Sequence, residues 1–290
     1  MRNQVAKCEK IVKKGIDGND KITCSRYGWN LSGSKSRMTD ATLGALSLAA
    51  KAGIRVVPTT GRTLGCLPHR LVGRSDIFRY VITSNGAKVT DLQTKRTVFR
   101  ADIKKESALS LLEEVKNTKG LHVGITSHVH HEYLLQGQIL VLLGRVIYGK
   151  DARQVRRVTD MMKEIAGTRH GIEEIQFYFL GKNAREMTKG ILARYADLSA
   201  AYTDQYVEIF SKQASKGTAL CALAQELGIE RSEIACIGDG ENDLTMFRAA
   251  GMKMAMGNAV EELKRAADIV LPSNEKDGAA EGILRCVNDR

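Results

Sequence analysis

The stretch Ile234-Ala-Cys-Ile-Gly-Asp-Gly-Glu-Asn-Asp-Leu-Thr-Met-Phe247 holds the residue types best suited to chemistry. Asp239 and Asp243 stand four residues apart, just after a short apolar run and beside two glycines, Gly238 and Gly240. The run 234–237 predicts a buried strand, and the residues from Glu241 onward predict a helix. A strand-to-helix turn of this kind can direct both carboxylates into one crevice at the carboxyl end of the strand, where open α/β sheets bind ligands. Hard cations such as Mg²⁺ take oxygen ligands of this kind. The plainer alternative is an ordinary connection in which Asp and Asn cap the helix.

Other positions carry weaker signals. Thr60 follows a strand-like run and precedes Gly61, so its hydroxyl and the backbone N–H groups there can donate to a phosphate oxygen; a capping threonine is the alternative. Lys216 opens a helical stretch, and its ammonium could neutralise charge developing on a phosphoryl group. Ser215-Lys216-Gly217 is no Walker A loop, because the upstream glycine and its spacing are missing. Asn242 offers both donor and acceptor groups to a phosphate or a metal-bound water. His128, His130 and His131 form the densest histidine cluster. Strand alternation would put 128 and 130 on one face, where a substrate contact or a zinc site with further ligands are the chemical options.

The elements that must position these residues alternate. A helix over 40–52, capped by Thr39 or Asp40 and stopped by Gly53, leads to a strand over 54–58, a short helix over 64–72 and a strand over 80–83. Helix–strand alternation implies a parallel sheet covered by helices. After residue 87 the texture changes. A hairpin is expected over 89–99, a helix over 104–119, strands over 121–126 and 132–135, a helix over 151–166, a strand over 173–180 and a helix over 184–194. A strand over 206–210 is expected to return to the first sheet, followed by a helix over 216–227 stopped by Gly228.

Composition bounds the classes. The chain has 290 residues, 43% hydrophobic and 27% charged, ordinary values for a globular protein of about two domains. No apolar run approaches bilayer length, and no apolar signal segment opens the sequence. Six scattered cysteines without a C-x-x-C pair point away from a zinc ribbon or disulfide framework and toward a cytoplasmic setting. The net charge is +11, and residues 1–37 carry nine Lys/Arg against three acids. Such an arm could bind nucleic acid, but no aromatic or nucleic-acid motif accompanies it, and a solvated terminus is the reading preferred.

The pattern G-D-x-x-N-D followed by Met246 resembles the fourth motif of the haloacid dehalogenase superfamily, and most closely that of the Cof-type phosphatases with class IIB caps. Downstream, Met252-Lys-Met-Ala-Met-Gly-Asn-Ala259, Ala266-Ala-Asp-Ile-Val270 and Asp277-Gly278 resemble that family's C-terminal end. Ser215-Lys216-Gly217 resembles its third motif, Thr60-Gly61-Arg62 its second, and Ser84-Asn85-Gly86-Ala87 the segment before its cap. The ordered set carries the resemblance. It implies a doubly wound parallel-sheet α/β core, residues 1–87 and 207–290, with an inserted α+β cap over 88–206. It also implies Mg²⁺-dependent hydrolysis of a small phosphate monoester, often a sugar phosphate. Asp239 and Asp243 would hold the metal, Thr60, Gly61, Lys216 and Asn242 would bind the phosphate, and Thr60 and Lys216 would assist catalysis. The expected partner is a small phosphorylated metabolite, not a membrane.

One motif departs from the family. Its first, D-x-D-G-T, supplies the nucleophile and the general acid/base, and no D-x-D occurs in residues 1–60. Gly15-Ile-Asp17-Gly18-Asn19 keeps one Asp, and Asn30-Leu-Ser32-Gly33-Ser34 keeps the framework without either carboxylate. Neither follows an apolar run suited to a buried strand. Two accounts stand side by side: a pseudoenzyme that retains a phosphate cradle, or an altered reading frame or start site. Either way turnover is expected to be impaired.

Overall fold

The computed structural model describes residues 22–26 (backbone only), 38–136 and 154–288, in two compact units. The first unit comprises Met1–Gly61, Gly73–Phe99 and Ser215–Arg290. Its sheet contains, in chain order, β1 (Ile22–Arg26), β2 (Arg55–Thr59), β3 (Tyr80–Thr83), β4 (Lys88–Asp91) and β5 (Thr97–Arg100). β12 (Ile234–Gly238), β13 (Met252–Ala255) and β14 (Ile269–Val270) complete it. The spatial order is β14-β13-β12-β1-β2-β3-β4-β5, parallel from β14 through β3, with β4 antiparallel to β3.

β12 is buried along its whole length, the pattern of a strand covered on both faces. Successive residues show the two covers. The Cys236 thiol lies 3.8 Å from the Met246 carbonyl, on helix α6 (Leu244–Ala249). Ile237 instead packs at Gly282 of α8 (Gly278–Asn288), where an added Cβ would lie 2.9 Å from it. Because side chains alternate along a strand, α6 and α8 lie on opposite faces, and the unit is doubly wound as expected. α8 packs on α1 (Asp40–Lys51), whose N-cap is Thr39, accepting the Thr42 N–H at 3.1 Å.

A strand also forms where none of quality was expected. Ile22–Arg26 lies between β12 and β2, with Cys24 opposite both Cys236 and Val57 and Arg26 opposite Thr59. A central slot offers hydrogen-bond partners on both sides, so backbone pairing defines this strand despite its mixed sequence. The motif candidates at Asp17 and at Asn30 and Ser32, and most of the basic stretch 1–37, lie outside the described residues.

The second unit comprises Arg62–Val72 and Arg100–Ala214. Its sheet has the order β10-β11-β9-β6-β7-β8. The strands are β6 (Val123–Val129), β7 (Glu132–Gln136), β8 (Val155–Val158), β9 (Glu174–Phe179), β10 (Leu198–Tyr202) and β11 (Tyr206–Ser211). Helices α2 (Lys105–Asn117), α3 (Met161–Ala166) and α4 (Ala184–Leu192) share its apolar core with Ile175, Phe177, Val207 and Ile209.

Several expectations are corrected here. The pair 88–91 and 97–100, expected in the insert, extends the first sheet, because β4 is fully buried against β3. The strand at 206–211, expected to rejoin the first sheet, belongs to the second; its alternating burial is that of a sheet with one apolar face. The helix expected over 151–166 is, in its described part, strand β8 followed by α3 with Asp160 as N-cap. The helix expected over 64–72 is two 3₁₀ turns, Leu64–Cys66 and His69–Leu71, separated at Pro68. β10, made of Leu-Ser-Ala-Ala-Tyr, carries no β-branched residue and was not expected; pairing with β11 creates it.

Candidate functional site

The expected site residues of the first unit converge at one edge of its sheet. Thr60 follows β2 and Asp239 follows β12, and both strands run parallel to β1 between them, so both residues leave the sheet at its carboxyl edge. Thr60 is buried; its N–H donates to Ile82 at 2.9 Å and its carbonyl accepts from Asn85 N–H at 3.2 Å.

Lys216 arrives from helix α5 (Lys216–Leu227). Ser215 caps this helix, its hydroxyl accepting the Thr218 N–H at 3.0 Å, and Gly228 ends it in the left-handed region at φ 67°. Lys216 is fully buried, and its ammonium donates to Asp243 Oδ1 at 2.7 Å. The other oxygen of Asp243, Oδ2, accepts the N–H groups of Asp239 at 2.9 Å and Gly240 at 3.0 Å. One buried carboxylate therefore fixes both the cation and the turn that carries Asp239. Gly238 makes room for it, since a Cβ there would come within 2.7 Å of the Asp243 side chain.

Two further contacts complete the arrangement. Gly217 N–H donates to Thr245 Oγ1 at 3.1 Å, docking α5 on the first turn of α6. Asn242 Nδ2 donates to Asn85 Oδ1 at 3.0 Å. Asn85 lies in the turn Ser84–Gly86 that follows β3, and its carboxamide sits over Gly61, where a Cβ would approach Oδ1 to 2.9 Å.

Thr60, Gly61, Lys216, Asn242, Asp239 and Asp243 are thus brought together with one addition, Asn85. Sequence reasoning placed Asn85 in a family-like segment without a role; an Asn-Gly pair just after a strand-like run is the signal it offers. Asp243 was expected as a metal ligand, and its two oxygens are engaged by Lys216 and the two amides. A cation is tested here by its donor set. Asp239 is half-buried at the strand end, and among the described residues no group of three or more His, Cys, Asp or Glu side chains is arranged to hold a metal. A half-buried carboxylate at the end of the strand is a hard oxygen donor, the kind that Mg²⁺ takes together with a substrate's own phosphate.

The histidines do not share one face. His128 lies on β6, buried, with Nδ1 3.8 Å from Glu174 Oε1 and its ring 5.1 Å from that of Tyr133. Burial pushes its pKa down to about 4, against a smaller upward pull from Glu173. His130 and His131 form the following turn at φ 48° and 77°. Glu174 also accepts from Gln176 Nε2 at 2.6 Å, so His128 belongs to a buried polar network of the second unit.

Comparison with known proteins identifies the family and the fold. The sequence model of the haloacid dehalogenase-like hydrolases matches residues 31–283. The chain is 30% identical to the Bacillus subtilis (strain 168) protein named "Putative phosphatase YxeH" over 263 residues, 86% of this chain and 92% of that one. The solved structure of a haloacid dehalogenase-like hydrolase from B. subtilis superposes with a TM-score of 0.75 at 25% identity, covering 91% of this chain and 99% of that one. The HAD subclass IIB sugar phosphatase BT4131 shares the fold, with a TM-score of 0.73 at 20% identity over 91% of this chain and 98% of that one. The chain belongs to the haloacid dehalogenase-like hydrolases.

Proposed function

We propose that this protein binds the phosphoryl group of a small phosphate monoester, of the sugar-phosphate kind, in the cradle formed by Thr60, Gly61, Lys216 and Asn242. The observation that carries the reading is the buried Lys216–Asp243 pair at the sheet edge shared by Thr60 and Asp239. A buried cation held rigidly beside backbone N–H groups stabilises phosphoryl charge far better than a solvated lysine, because it needs no reorganisation when charge develops. Asp239 would hold Mg²⁺, and we assign Asp243 to fixing Lys216. The ion, when bound, would neutralise phosphate oxygens and polarise the phosphorus centre. Names of relatives support the substrate class: one is named "Putative phosphatase YxeH" and BT4131 is titled a sugar phosphatase. The cytoplasmic setting expected from the cysteines belongs to the same proposal.

Turnover is a separate matter. With no D-x-D in residues 1–60, the carboxylate that the family resemblance implies as nucleophile is missing from the sequence before Thr60. An amide or hydroxyl cannot form the acyl phosphate that such a carboxylate forms. This absence favours a second reading, a phosphate-binding protein that turns over little or no substrate. Mg²⁺-dependent hydrolysis of p-nitrophenyl phosphate separates the two, and inorganic phosphate binding that is lost in Lys216→Met tests what they share.

A further inference from the structure

The turn Ser84–Gly86 has three consecutive residues in the left-handed region, at φ 48°, 54° and 94°. Ser84 and Asn85 are both buried. Such a conformation costs little at Gly86, is tolerated by Asn and is uncommon for Ser. Strained, buried backbone persists where surrounding structure over-determines it, and it clusters at binding sites. The surroundings here are the three cradle segments themselves. Asn85 N–H bonds to the Thr60 carbonyl at 3.2 Å, and the Asn85 carboxamide covers Gly61. Its Oδ1 accepts the Asn242 amide at 3.0 Å. Gly86 abuts the start of α5 so closely that an added Cβ would lie 2.2 Å from the Ser215 carbonyl and 2.6 Å from Lys216 N.

We propose that Asn85 is a positioning residue of the cradle: its side-chain carbonyl fixes the orientation of the Asn242 carboxamide relative to Thr60–Gly61, and so sets the affinity for a phosphoryl anion. A carboxamide presents an acceptor and a donor end that differ only by rotation. With its N–H₂ end held by Asn85, Asn242 keeps one orientation. Without that bond the amide rotates, and the cradle binds through an averaged geometry. The inference rests on the phosphate-cradle reading above.

The test uses the full chain and separates the backbone role from the side-chain role. Asn85→Gly accepts φ 54° without strain and removes the carbonyl. The expected result is a folded variant that binds inorganic phosphate in the presence of Mg²⁺ about tenfold more weakly by calorimetry, the worth of one such hydrogen bond. In an Asn242→Ala background the same substitution should have no further effect. By NMR the Asn242 side-chain amide protons should exchange slowly in the wild type and in Asn85→Asp, which keeps an acceptor, and quickly in Asn85→Gly. Wild-type affinity in Asn85→Gly, additive losses with Asn242→Ala, or an Asn242 amide equally slow in both variants overturns the proposal. Should Asn85→Gly fail to fold, fast exchange of that amide in Asn85→Asp also overturns it. A wild type that shows the slow amide but no Lys216-dependent phosphate binding overturns the cradle reading instead, and the affinity half of this proposal with it.

Discussion

The ammonium of Lys216 lies 2.7 Å from Asp243 Oδ1, and both side chains are completely buried. The two residues are 27 positions apart in the chain, yet a single carboxylate joins the start of α5 to the turn after β12. Asp243 also accepts two backbone N–H groups, so each half of the pair has a different dependence on the other.

That asymmetry gives the first prediction. Asp243→Ala removes the carboxylate from a buried ammonium and also strips the Asp239 and Gly240 amides of their acceptor. Breaking a buried ion pair from one side costs about 3–5 kcal/mol. Lys216→Met leaves Asp243 with two N–H donors, and its cost should be smaller. Urea denaturation of both variants checks the order. Equal stability losses would show that the two amides contribute nothing to holding Asp243.

The second prediction concerns turnover. The unmodified chain should hydrolyse p-nitrophenyl phosphate slowly or not at all with Mg²⁺, because losing the covalent nucleophile in such a site commonly costs several orders of magnitude. Replacing residues 1–37 with a family-like strand ending in D-x-D-G-T should restore activity, since the slot between β2 and β12 is occupied by a parallel strand in this fold. Robust turnover by the unmodified chain, abolished by Asp239→Asn, would be the contrary result.

The third concerns pH. His128 is buried and neutral, its pKa lowered to about 4 chiefly by burial. The unfolded chain binds that proton near pH 6.5, so protonation favours unfolding. The contribution of the neutral imidazole is intact above pH 6.5. It falls by about 1.4 kcal/mol per pH unit between pH 6.5 and 4. His128→Phe keeps a ring beside Tyr133 and removes the titration. Its stability relative to wild type should therefore rise steadily as the pH is lowered from 7 to 5, measured by denaturant midpoints. A constant difference across that range would show that His128 does not titrate on unfolding.

The fourth tests how closely α5 is docked. A Cβ at Gly217 would lie 2.1 Å from the Thr245 carbonyl oxygen, a backbone atom that cannot rotate away. Gly217→Ala should destabilise the protein by about 1–3 kcal/mol, the usual cost of overpacking, and should weaken phosphate binding by displacing Lys216. In an ordinary exposed helix the same change stabilises by up to about 1 kcal/mol. An unchanged or raised melting temperature would therefore sink the close-docking argument.

Much of the core was legible in the sequence because its signals are local. The apolar run before Asp239 fills a strand covered on both faces, Ser215 and Gly228 bracket α5 as cap and stop, and Thr39 caps α1. Each depends on a few adjacent residues, so periodicity and capping chemistry reveal it. The identity of Thr60, Gly61, Lys216, Asn242, Asp239 and Asp243 as one group was also readable, through the order of short motifs. Their partnerships were not. That Asp243 serves Lys216 and the Asp239 amide, and that Asn85 holds Asn242, are facts of packing between segments 27 and 157 residues apart. The same limit explains the misplaced strands. The sequence announces a strand at 206–210 but not which sheet it joins, and Leu198–Tyr202, with Ser-Ala-Ala at its centre and no β-branched residue, has little strand-like composition. Sheet membership and strand identity there come from backbone hydrogen bonds to neighbours, which only the tertiary fold supplies.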